Sequence, residues 1–101
     1  MDRVVKKLNK PLIIGEIGAC SYDDKKDPEN EKEITFLRNS LKIFNEWGLG
    51  YLGYCWSTPE WQRQFGLLRD TGFTPSDSGK VLVEAVKEGA AASEDLRRNL
   101  R

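Results

Sequence analysis

The hydrophobic residues of this chain fall into four segments, which alternate between the pattern of a strand and the pattern of a helix. Residues 12–17 and 50–56 are nearly continuous apolar runs of strand length. Residues 34–47 and 81–86 instead carry apolar side chains at the three- and four-residue spacing of an amphipathic helix. The pattern therefore predicts the order strand, helix, strand, helix.

The bounds of the first predicted helix are marked by residues at both of its ends. Asp27 is a suitable N-cap and Pro28 suits the first turn, while Gly48 supplies a C-terminal stop. The stripe that packs against the strands is predicted to contain Ile34, Leu37, Leu41 and Phe44, widened by Phe36, Ile43 and Trp47.

The second predicted helix follows a loop, residues 57–75, that is interrupted by prolines and glycines. Ser76 or Asp77 caps this helix, which is expected to run through Lys87 and to end at Gly89. Residues 90–101 form a charged, helix-favouring tail with little apolar surface to bury.

Strands as apolar as these are typical of a parallel sheet that helices cover on both faces. Strand–helix alternation favours right-handed crossover units, so the predicted fold class is α/β with a parallel sheet. Two such strands alone leave a face and both edges open, and the chain is therefore expected to be a piece of a larger structure. Side-chain alternation predicts that one face carries two rows, namely Leu12, Ile14 and Glu16, and Leu52, Tyr54 and Trp56.

Glu16 and Trp56 are the candidate site residues with the clearest chemistry. Burying a lone carboxylate costs several kcal/mol, so Glu16 at the end of an apolar strand belongs at the mouth of a site. Trp56 ends the second strand, and its ring can stack on a sugar through the π face. The alternatives are a surface glutamate and a core tryptophan. A carboxylate and a tryptophan at the ends of consecutive parallel strands favour a sugar-cleaving cleft.

Two further aromatic residues are candidates for the same cleft. Trp61 lies in a polar loop, where it either lines a neighbouring subsite or only packs the loop. Tyr22 lies in the charge-rich segment 22–33, which is either solvated or reaches the rim of the cleft.

Composition limits the remaining function classes. The 101 residues contain 16 basic and 16 acidic side chains with no long block of either sign, which argues against a nucleic-acid partner. No apolar stretch is long enough for a signal peptide or a membrane span, so the chain as it stands is expected in the cytoplasm. Histidine is absent, which leaves acid–base chemistry to carboxylates. Cys20 and Cys55 pair only if the first loop doubles back.

Three stretches of the chain, in order, resemble the C-terminal quarter of glycoside hydrolase family 5, the cellulase family. They are KPLIIGEIG at residues 10–18, GLGYLGYCWS at residues 48–57, and FGLL at residues 65–68 followed by Thr74-Pro75 and Gly79. The resemblance covers residues 10–89, with residues 1–9 and 90–101 as polar extensions. It implies a partial (β/α)8 barrel made of strand 7, helix 7, strand 8 and helix 8.

The resemblance also implies roles for the site residues. Glu16 matches the nucleophile of a retaining O-glycosyl hydrolase and Trp56 the floor of the sugar site, with Trp61 and Tyr22 as further substrate contacts. The implied substrate is β-linked glucan or mannan, with no metal or other cofactor, and complete relatives of this family are often secreted. The family's acid/base glutamate lies in an Asn-Glu-Pro motif that this sequence does not contain, so activity of the isolated chain is in doubt.

Two alternatives to an enzyme remain open at this point. The first is a non-catalytic module that keeps the aromatic platform and binds sugar weakly. The second is a C-terminal piece that self-associates or assembles with a separately encoded barrel half.

Overall fold

A computed structural model of the chain describes residues 7–19, 28–57, 65–70 and 72–99. The elements follow the order β1 (Ile13–Ile17), α1 (Pro28–Glu46), β2 (Gly50–Gly53) and α2 (Asp77–Asn99). The alternation predicted from the hydrophobic pattern is confirmed. Neither helix in this part of the chain combines the length and the apolar character that crossing a membrane requires.

The two strands form a parallel two-stranded sheet, as predicted. Ile13 pairs with Gly50 and Ile14 with Tyr51, and the connection between the strands runs through α1. Consecutive units of a barrel pair in this way, but so do strands of other α/β folds. The (β/α)8 origin of the chain therefore stays a prediction.

Both helices pack on the same face of this sheet and share one core. Its buried members are Leu37, Leu41 and Phe44 of α1, Val81 and Ala85 of α2, and Ala19 and Leu49. Leu12, Ile14, Ile17 and Tyr51 contribute from the sheet side, and Ile34 and Leu82 from the helices. Both helices therefore lie on one side of the sheet.

The prediction that Leu12 and Ile14 share one face of the sheet with Leu52 is wrong. Leu12 and Ile14 pack against the helical core, whereas Ile13 is 65% exposed and Leu52 is 61% exposed. The expectation of strands buried on both faces is equally wrong within the described residues, because the helices cover only one face. Ile13 and Leu52 thus define the uncovered sheet face.

An irregularity in strand pairing explains why Glu16 is exposed although Ile14 points at the helices. Regular alternation would place Glu16 on the same face as Ile14. The register shifts between Ile14 and Ile17, and both Gly15 and Glu16 are exposed while Ile17 returns to the helix side. Such a bulge turns the carboxylate away from the core, where its charge would be costly.

Only part of the predicted α1 stripe is buried. Leu37, Leu41 and Phe44 are in the core as expected, but Phe36 is 63% exposed, and Ile43 and Trp47 are exposed too. Each residue advances the helix by about 100°, so these three side chains lie roughly a quarter turn from the buried row. One sheet and one neighbouring helix cover a narrower arc of α1 than the apolar residues span.

The C-terminus of α1 is closed by Gly48, as predicted. Gly48 has φ of +66°, its N–H donates to the Asn45 carbonyl at 3.2 Å, and the Leu49 N–H donates to the Phe44 carbonyl at 2.9 Å. This is the Schellman arrangement, and the buried Phe44 and Leu49 supply the apolar contact that accompanies it. The turn therefore aims the chain directly into β2.

Helix α2 continues past Gly89, where it was predicted to end, and reaches Asn99. Gly89 instead serves the packing of the two helices, because a β-carbon at this position would lie 2.7 Å from the Asn45 side-chain oxygen. The following alanines favour helix, and an Arg98–Glu94 ion pair at 3.1 Å links successive turns. A glycine inside a helix costs only about 1 kcal/mol, which these contributions offset.

Asn45 joins α1, α2 and β2 through one side chain. Its Nδ2 donates to the Ala85 carbonyl at 2.8 Å, and its Oδ1 accepts from the Tyr51 hydroxyl at 3.1 Å. Burial raises the pKa of Tyr51 and the negative charge of Glu88 adds to this effect, while the Asn45 hydrogen bond opposes it. The amide thus links the Tyr51 face of β2 to both helices.

We predict that Gly48→Ala lowers the free energy of unfolding by about 1–2 kcal/mol, since an L-residue pays this cost in the left-handed region. Gly15→Ala is the matched control, because open space surrounds both glycines and only Gly48 has a positive φ. Urea unfolding followed by circular dichroism measures the difference. Equal losses in the two variants would contradict the assigned role of Gly48.

We predict that the full chain binds a hydrophobic dye or self-associates through the uncovered sheet face, as exposed apolar patches do. The double variant Ile13→Thr, Leu52→Thr should weaken dye fluorescence and favour the monomer in sedimentation. Its control is Arg38→Thr, Lys42→Thr, which alters exposed polar positions of α1. A monomeric wild-type chain that binds no dye would contradict this prediction.

Candidate functional site

The two principal candidate residues lie at the same end of the sheet, because both strands run in the same direction and have their C-terminal ends there. Glu16 lies near the end of β1, and Trp56 follows the end of β2. The Glu16 side chain is exposed, and Trp56 is 69% exposed. The alternative of a core tryptophan is therefore wrong.

Cys55 precedes Trp56 in the chain and is affected by the charge of Glu16. Its thiol is half-buried and free. Burial is the main cause that raises the pKa of Cys55, and the negative charge of Glu16 raises it further, against a smaller opposing hydrogen bond with Tyr54. The charge of Glu16 therefore reaches the residue that precedes Trp56.

The chain beyond β2 continues as an extended segment that pairs with residues 65–68. The Cys55 N–H donates to the Phe65 carbonyl at 2.9 Å, and the Leu67 N–H donates to the Cys55 carbonyl at 3.0 Å. The rings of Tyr54 and Phe65 contact each other with centroids 6.1 Å apart. These hydrogen bonds hold the backbone next to Trp56 in place.

Residues 68–70 and 72–75 lie in a hairpin whose tip is organised by Asp70. Leu68 and Pro75 form an antiparallel bridge, and the Arg69 N–H donates to the Thr74 carbonyl at 2.7 Å. Asp70 Oδ1 accepts hydrogen bonds from the backbone N–H of Gly72 at 2.9 Å and of Thr74 at 3.2 Å.

These hydrogen bonds perturb the ionisation of Asp70. The bond from the Thr74 side chain is the main cause that holds the pKa of Asp70 below its ordinary value, followed by the Thr74 N–H. The Gly72 N–H and the positive charge of Arg69 act in the same direction. The ionised carboxylate is therefore the form that organises the hairpin tip.

Phe73 lies at this hairpin tip and is a candidate site residue that the sequence analysis did not single out. Its φ of +64° is unusual for a bulky residue, and its side chain is 67% exposed. The ring stacks on Trp56, with centroids 6.3 Å apart and planes inclined by 22°. The available signal was the series Asp70, Gly72 and Pro75, which predicts a tight turn around Phe73 but no contact with Trp56.

Ser76 anchors the hairpin to the start of α2, which confirms it as the helix cap. Its hydroxyl donates to the Gly66 carbonyl at 2.7 Å and accepts from the Gly79 N–H at 3.1 Å, as an N-cap does. The Ser76 N–H donates to the Leu67 carbonyl at 2.9 Å. One residue therefore closes the hairpin and begins the helix.

Four of the residues singled out in the sequence lie outside the described residues: Tyr22, Trp61, Cys20 and the predicted N-cap Asp27. Of the predicted set, the structure places Glu16 and Trp56 toward the same end of the sheet, and it adds Phe73 in contact with Trp56. Among the described residues, no group of three or more His, Cys, Asp or Glu side chains is placed to hold a metal ion.

Comparison of the chain with protein families, with characterised proteins and with solved structures gave no match.

We predict that Asp70 contributes to stability in a pH-dependent way. Because its pKa is lowered on folding, the contribution is present above its ordinary value of 3.8 and is lost as the pH falls through the lower folded value. The difference in free energy of unfolding between wild type and Asp70→Asn should therefore be present at about pH 7 and shrink at about pH 3. Urea titrations measure it, with Asp95→Asn on exposed α2 surface as control. A difference that grows on acidification would contradict the assignment.

Proposed function

We propose that this chain is the nucleophile-bearing part of a retaining O-glycosyl hydrolase that acts on β-linked glucan or mannan. Glu16 is the nucleophile and Trp56 the platform on which a sugar ring rests. The observation that carries the proposal is the exposure of both side chains at one edge of a parallel sheet. The family 5 resemblance of the stretches around these residues supports the same assignment.

In the proposed reaction, a Glu16 carboxylate oxygen bonds to the anomeric carbon as the bond to the leaving oxygen breaks. The electron pair of that bond goes to the leaving oxygen, which takes a proton from a second carboxyl group. In retaining enzymes this group lies about 5–5.5 Å from the nucleophile. Water then attacks the anomeric carbon, gives its proton to the second group and releases Glu16.

The second carboxyl group is proposed to come from a complementary barrel piece. Such a piece would carry strands one to six and would meet this chain at the uncovered sheet face of Ile13 and Leu52. Exposed apolar side chains at these two positions support the assembly, because burying them removes apolar surface from water.

A non-catalytic sugar-binding module is the second candidate function. It is favoured by one specific observation, the stacked and largely exposed pair of Trp56 and Phe73. Such a pair offers a sugar two aromatic faces without requiring a reactive group. Dependence of turnover on Glu16 separates this candidate from the enzyme.

We predict that the isolated chain hydrolyses no natural oligosaccharide measurably, since losing general acid assistance costs about 10²–10⁴-fold. An aryl glycoside with an activated leaving group, which departs without a proton, should show trace release by absorbance. Adding a barrel piece with strands one to six and the acid should restore cleavage of cello- or manno-oligosaccharides.

Glu16→Gln should abolish both activities, whereas Glu46→Gln is the control, because it alters an exposed carboxylate at the far end of α1. Robust cleavage of a natural oligosaccharide by the chain alone would contradict the proposal. So would equal turnover by Glu16→Gln and wild type in the reassembled protein.

A further inference from the structure

Helix α1 carries an apolar row on the side that faces away from α2. Asn45 marks the side toward α2, because its Nδ2 donates to the Ala85 carbonyl. Each residue turns a helix by about 100°, so a side chain two or nine residues from Asn45 lies about 160–180° around the helix. The residues at these positions are Phe36, Ile43 and Trp47, which are 63%, 40% and 40% exposed. They form a surface that α2 and the sheet leave open.

The spacing of this row is that of a helix that pairs with another helix. Together with the half-buried Ser40, the row consists of Phe36, Ser40, Ile43 and Trp47, in steps of four, three and four residues. This alternation is the a/d seam of a coiled coil. The Trp47 N–H donates to the Ile43 carbonyl at 2.9 Å, so the helical turn includes the last member. The partner that this outer row fits is therefore a second amphipathic helix.

The outer row is complementary to a second copy of itself in the antiparallel direction. Its steps read the same from either end, so a two-fold axis between residues 41 and 42 places Phe36 of one copy opposite Trp47 of the other. The same axis places Ser40, the smallest side chain of the row, opposite Ile43. Aromatic pairs therefore meet at both ends of the contact, and a small side chain makes room for a branched one at its centre.

The charges beside the outer row favour the same antiparallel arrangement. Lys32 and Glu46 are exposed and border the row on the side away from the core. The two-fold axis brings Lys32 of one copy within about five residues, roughly 7–8 Å along the helix, of Glu46 of the other. Two long side chains can span this distance. Lys32 pairs with Glu29 of its own helix at 2.9 Å, but an exposed pair of this kind is worth little and can exchange.

We infer that two copies of this chain associate through the outer rows of their α1 helices, packed antiparallel about a two-fold axis. The inference goes beyond the proposed function and does not depend on it, because the outer row shares no residue with the proposed sugar site. Four residues with a polar rim give an interface at the small end of the range for specific complexes, below about 1,200 Å² in total. The dimer is therefore expected to be weak and dependent on concentration.

The first test is sedimentation of the full chain over a series of concentrations. Ile43→Glu should raise the Kd of the dimer about tenfold or more, because the new carboxylate would lose water at the centre of the contact. Val83→Glu is the matched control, since Val83 is an apolar residue of similar exposure, 45%, on α2. Its Kd should equal that of wild type, and circular dichroism verifies that both variants are folded.

The second test exchanges the charges that border the outer row. Lys32→Glu and Glu46→Lys should each raise the Kd of the dimer about two- to fivefold, the range for an exposed ion pair. The double variant should restore the wild-type Kd, because it reverses the pair without removing it. A double variant that dimerises no better than the single variants would refute the antiparallel arrangement.

Other occupants of the outer row predict other results. A wild-type chain that stays monomeric at every concentration would refute the inference and leave this row to a different protein. If Ile13→Thr, Leu52→Thr abolishes the dimer while Ile43→Glu leaves its Kd unchanged, the copies meet at the uncovered sheet face and the inference is refuted. Equal losses in Ile43→Glu and Val83→Glu would refute it as well. None of these outcomes affects the assignment of Glu16 as the nucleophile.

Discussion

The helices of this chain cover one face of a two-stranded parallel sheet, and most other features follow from that one-sided packing. Leu12 and Ile14 must turn toward α1 and α2 for the core to close. This leaves Ile13 and Leu52 uncovered on the opposite face. The same orientation would drive Glu16 into the core, and the shift in register between Ile14 and Ile17 prevents that burial. A charged side chain thereby reaches the edge of the sheet without an unpaired charge in the interior.

The positions of Trp56 and Phe73 depend on a different set of interactions. Backbone hydrogen bonds continue from the end of β2 into residues 65–68 and from there into the hairpin that carries Phe73. The core does not determine where this ring lies, since Phe73 is exposed and does not belong to the apolar cluster. Polar contacts of Asp70 and Ser76 determine it instead. The apolar core therefore builds the scaffold, and local hydrogen bonding builds the candidate binding surface.

The sequence pattern predicted the type and the order of the elements well. The spacing of apolar residues determines helix or strand locally, and caps such as Gly48 and Ser76 also act through nearby residues. It failed where one residue type serves two purposes. Gly48 ends a helix through its positive φ, whereas Gly89 stays inside one to make room for Asn45. It also failed on β1, since an uninterrupted apolar run cannot show which side meets the helices. The contact between Trp56 and Phe73 joins distant parts of the chain and left no periodic signal.

Ser76 gives the candidate site an unexpected dynamic property. Because its hydroxyl both closes the hairpin onto Gly66 and caps α2 at Gly79, neither contact can open without disturbing the other. The hairpin tip and the first turn of α2 are therefore expected to open together in local unfolding. Any ligand that holds Phe73 would slow amide hydrogen exchange at the start of α2, and fraying of this helix would loosen the aromatic surface.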